Sequence, residues 1–75
     1  MNRHSEIIAN CEAIIQLEMQ SIQLQKKLIE ANITGQLTLH KIIVKDARSQ
    51  IEQSRAAIYQ MMKMKSKYEA INANS

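Results

Sequence analysis

Gly35 is the only glycine in a 75-residue chain that contains no proline. These are the two residue types that interrupt helices most readily, glycine through its backbone freedom and proline through its missing N–H. With a single breaker near the middle, the segments on either side can run as long helices. The apolar pattern agrees, because it repeats at helical spacing on both sides of the glycine.

The first helix is predicted from about residue 6 to 31. Ser5 is placed to cap it, and Glu6 in its first turn suits the positive end of the helix dipole. Ile8, Ile15, Ile22 and Ile29 recur at every seventh position, the spacing of a packing seam. Ile7, Cys11 and Ile14 broaden that face, while Glu18 and Gln25 stand where a strict coiled coil would carry leucine. A second stripe, Leu17, Leu24 and Leu28, projects to one side of the isoleucines. Together the two stripes span more than half of the circumference, more than one neighbouring helix can hide.

The second helix is predicted from about residue 39 to 68. His40, Val44, Ala47, Ile51, Ser54, Ile58, Met61, Lys65 and Tyr68 alternate spacings of four and three. Ala47 and Ser54 are small enough to bring the backbones close. Leu39, Ile43, Ala57 and Met64 flank that seam, which is expected to end near Met62. The tail, residues 69–75, shows no cap and is expected to fray. Between the helices, the connection at 32–38 has the length that sets neighbouring helices antiparallel. Gly35 is expected to take the left-handed conformation there, with Asn32 as a substitute. Thr34 or Thr38 would cap the second helix, and Ile33 or Leu37 would tuck under the bend. The fold class is therefore all-α, an antiparallel two-helix hairpin in a single domain.

A hairpin has no third layer. Helices of this length would run roughly 40–45 Å, and each can offer only one stripe to the other. Leu17, Leu24 and Leu28, with the faces around Ile43, Ala57 and Met64, are thereby left as a partner-binding surface. Completion by a second copy, as a homodimeric four-helix bundle, and completion by a different helical protein both satisfy that requirement.

Chemistry is poorly represented. His4, His40 and Cys11 lie far apart and form no metal-binding spacing, so no metal or cofactor is expected. They are read instead as a disordered His4, a His40 at the mouth of the seam and a buried Cys11. No glycine-rich phosphate loop is present, and a hairpin offers no pocket that would fix catalytic groups, so the chain is not expected to be an enzyme. One cysteine, no secretory leader pattern and no transmembrane run point to a cytoplasmic protein. Charge is uneven: residues 1–33 balance to −1 and residues 34–75 to +4. The excess gathers in "YQMMKMKSKYEA" (59–70), where Met61 and Met62 read as an extension of the seam and Lys63 and Lys67 as its solvated face. Nucleic-acid binding through Lys63, Lys65 and Lys67 is the weaker reading, since arginines are few and no stacking aromatic surface accompanies them.

The stretch "LQKKLIEANITGQLTLHKIIV" followed by "SQIEQSRAAIY" gives a Leu-rich first helix, a Gly-bearing turn and an Ala/Ile-rich second helix ending near a tyrosine. In this layout the chain resembles the small needle-subunit co-chaperones of bacterial type III secretion systems. The resemblance implies a hairpin that packs against a second, helical-repeat chaperone. The pair would hold the needle subunit in the cytoplasm and block its premature polymerisation. The basic, Met-rich C-terminal segment is not part of that layout.

Overall fold

A computed structural model describes residues 3–74, which form two helices, the turn that joins them and the C-cap residue Asn74. Helix α1 spans Arg3–Asn32 and α2 spans Thr38–Ala73. They lie antiparallel in a rod 58 × 16 × 13 Å, and no strand occurs among the described residues. The expected all-α hairpin is the fold.

Two contacts fix the register. Asn72 Nδ2 donates to Ser5 Oγ at 3.4 Å, and Lys65 Nζ lies 3.5 Å from Glu12 Oε1. Carried along both helices, that register brings Ile22 within one residue of Ser54 and Ile29 within one residue of Ala47 on the seam. Ile22 and Ile29 thus meet small side chains of α2, which lets the backbones approach there, whereas Ile8 and Ile15 come opposite Tyr68 and Met61. Ala47 and Ser54 are accordingly buried, as are Ile51 and Cys11. The rest of the seam, Ile8, Ile15, Ile22, Ile29, Val44, Ile58 and Met61, is only half-buried. One helix shields its neighbour from one side, so water still reaches both edges.

Both ends of the hairpin differ from expectation. Ser5 does not cap α1; it lies inside the helix, and its hydroxyl accepts from Asn72 across the seam. Glu6 does sit in the first turn. His4, expected to be disordered, is half-buried with its ring 5.3 Å from that of Tyr68. Helix α2 does not fray after Tyr68 but continues to Ala73. The four-three alternation in fact extends one step further, from Tyr68 to Asn72, so this turn still faces α1. Ser75 lies outside the described residues.

The turn is built from space rather than from backbone handedness. No described residue has positive φ, so neither Gly35 nor Asn32 is left-handed. Asn32 instead donates from Nδ2 to Leu28 O at 2.7 Å, which ties its side chain back onto the last turn of α1. Gly35 N donates to Asn32 O at 3.0 Å. The N-cap of α2 is Leu37, with no side-chain capping bond, so neither threonine caps it. Ile33 and Leu37 are exposed and do not tuck under the bend. The side chain that packs there is His40, and a Cβ on Gly35 would overlap His40 Cγ and Nδ1 and stand 2.6 Å from its Cβ. Glycine is needed because His40 occupies the room a side chain would take.

Candidate functional site

The hairpin has two long sides, and they differ in chemistry. At 100° per residue, Leu17, Leu24 and Leu28 point away from the seam of α1 toward one side. They are 64%, 62% and 45% exposed. Ile14, assigned from sequence to the seam face, belongs with them and is also exposed. Together these residues follow their own four-three alternation (14, 17, 21, 24, 28), a second heptad seam with no helix against it.

Helix α2 presents a matching row to the same side. Leu39, Ile43, Ala57, Met64 and Ile71 share one helical face, flanking the seam in the sense that puts them beside the leucines. Leu39, Met64 and Ile71 are exposed, while Ile43 and Ala57 are half-buried at the edge of the seam. The only charged side chains in that row are Asp46 and Lys67. This is the surface that the sequence assigned to a partner, and the structure brings its six residues to one side. Ile71 was missed because the tail was read as patternless.

The opposite side carries a groove of about 630 Å³. Its floor is Ile15, Ile22 and Ile58, and its walls include Met19 and Met62. Lys26, Arg55 and Lys65 line it, with Glu69 as the one acid among its lining residues. Met62, expected from sequence to extend the seam, does not belong to it; it stands 55% exposed on the groove wall. Next to it, Lys63 Nζ sits 5.4 Å from the Tyr59 ring centroid and Lys67 Nζ 5.9 Å from that of Tyr68. Exposed cation–π contacts of this kind are worth about 0.5–1 kcal/mol, less than the rotamer entropy of a fixed lysine.

Cys11 is a buried free thiol, and His40 Nδ1 is buried without a hydrogen-bond partner behind the turn. Among the described residues no cluster of His, Cys, Asp and Glu could hold a metal ion. No helix among them is long and apolar enough to cross a membrane. Comparison with known proteins leaves the surfaces to speak for themselves, since no family model, curated protein or solved structure matches the chain.

Proposed function

We propose that this chain is a non-enzymatic protein-interaction module whose apolar side is closed by helices of another polypeptide. The observation that carries this reading is the second, unpartnered heptad seam: Ile14, Leu17, Leu24 and Leu28 lie beside Ile43, Ala57 and Met64 on one face. Fully burying a leucine is worth about 1.5–3 kcal/mol, so the three leucines together favour association strongly. One long side of the rod, 58 by 16 Å, offers on the order of 900 Å², close to the roughly 800 Å² per partner of a stable interface. The costs of association absorb part of the gain.

The specific form we favour is a small cytoplasmic co-chaperone of a type III secretion needle subunit, acting in a heterocomplex. The hairpin layout and the Gly-bearing turn support it. In that role the apolar side would dock on a second, helical-repeat chaperone and stabilise it, and the pair would keep the needle subunit from polymerising. Co-expression with the products of neighbouring reading frames, followed by co-purification, tests the proposal. A chain that remains monomeric and captures none of them overturns it. A tight homodimer with the leucines sealed would replace the co-chaperone reading with a self-contained four-helix bundle.

A further inference from the structure

The groove on the charged side is unlike the apolar side, and it absorbs the Met-rich basic segment that the proposed function leaves without a role. Its floor is a straight apolar strip of Ile15, Ile22 and Ile58 between two helices, the shape into which the ridge of a third helix packs. Met19 and Met62 form adaptable walls, since unbranched thioether side chains can repack around different partners. The cations are placed on both walls: Lys26 on α1, Arg55 and Lys65 on α2. Lys65 is answered by Glu12. Among the described residues, neither Lys26 nor Arg55 has a carboxylate within ion-pair distance.

From this charge pattern we infer that the groove receives an amphipathic helix of a partner protein, its apolar stripe on the isoleucine floor and acidic residues on both flanks. The two flanks meet Lys26 and Arg55, as acidic residues beside a coiled-coil seam meet basic ones across it. The pairing sets orientation and selects the partner more than it adds affinity. A fatty acid or other single-headed anion could answer a cation on only one wall. The inference is independent of the apolar side, so the hairpin has two docking faces of different chemistry.

The test uses the full chain and a synthetic, fluorescently labelled 18-residue helical peptide. It carries leucines at heptad spacing and glutamates on both flanks; a second peptide replaces the glutamates with lysines. By anisotropy, the acidic peptide should bind at least tenfold more tightly than the basic one, and rising salt should weaken it. The double variant Lys26→Glu, Arg55→Glu should lose at least tenfold for the acidic peptide and gain for the basic one. Both residues are exposed, and far-UV circular dichroism checks that the variant folds. Leu24→Asp, on the other side, should change peptide binding less than twofold, which separates failure of this inference from failure of the proposed function. No binding of the acidic peptide, no preference between peptides, or sensitivity to Leu24→Asp would overturn the assignment. So would Arg55-dependent binding of phosphatidylglycerol vesicles with none of the peptide, which would make the groove a lipid site.

Discussion

Replacing Gly35 by alanine separates two physical roles of glycine that usually coincide. Because Gly35 does not have positive φ, alanine can adopt its backbone conformation, and loss of freedom in the unfolded chain would stabilise the hairpin by about 0.4–1 kcal/mol. Against that stands His40. The new methyl group would overlap Cγ and Nδ1 of the imidazole and lie 2.6 Å from His40 Cβ. The ring escapes the first two overlaps only by leaving its place behind the turn, where Nδ1 is buried, and His40 Cβ moves only with the start of α2. Forcing a carbon into such a site costs about 1–3 kcal/mol. The overlap wins, and a net loss of about 1–2 kcal/mol is expected. At about 4–8 °C per kcal/mol for a domain of this size, the midpoint should fall by about 4–16 °C. Thermal and urea melts followed at 222 nm measure it, with His40→Ala and the double variant closing a cycle. His40→Ala removes Cγ and Nδ1, so the double variant should recover about 1 kcal/mol relative to the sum. A stabilised Gly35→Ala, or a cycle additive within about 0.3 kcal/mol, would refute the account of the turn.

Other consequences are as direct. Ile51 is 8% exposed at the middle of the seam; Ile51→Asp buries an unpaired charge there and should abolish the helical circular-dichroism signal, so a folded variant would contradict the seam. The Cys11 thiol is 2% exposed and should react with a thiol reagent only through opening of the hairpin, slowly in buffer and at once in guanidinium; fast native labelling would contradict its burial. Ending the chain at Tyr68 removes the Asn72–Ser5 bond and should cost about 1 kcal/mol, with faster amide exchange in the first turns of α1. Unchanged exchange there would mean that the last turn of α2 holds nothing.

Much of the hairpin is legible in the sequence because its strongest determinant is local. Heptad periodicity in α2 identifies every residue of its seam from His40 to Tyr68, and Ala47 and Ser54 prove to be buried because they lie opposite isoleucines. What was not legible depends on contacts between distant residues. Ser5 has the composition of a cap, yet the far end of α2 claims its hydroxyl. Gly35 has the composition of a left-handed turn, yet His40 decides why glycine is there. The end of α2 was underestimated because Asn72, a polar residue, continues the seam and breaks the apolar count. The exposed apolar row on α1 was readable from its three leucines, whereas Ile14 was drawn into the seam by its isoleucine neighbours. The groove could not be read at all, since Lys26 and Arg55 come together only once the two helices are in register.

The central claim is that the apolar side is an interface rather than a tolerated exposure. It is tested most directly by the mass of the assembly the chain forms, measured by light scattering on the chain alone and co-expressed with the products of neighbouring reading frames. The wild-type chain should be found in a complex heavier than its own 8.6 kDa. Leu24→Asp, 62% exposed in the isolated hairpin, should lose that complex while keeping its helix content. A wild-type chain of 8.6 kDa in every combination, or a Leu24→Asp variant that retains the complex, would contradict it.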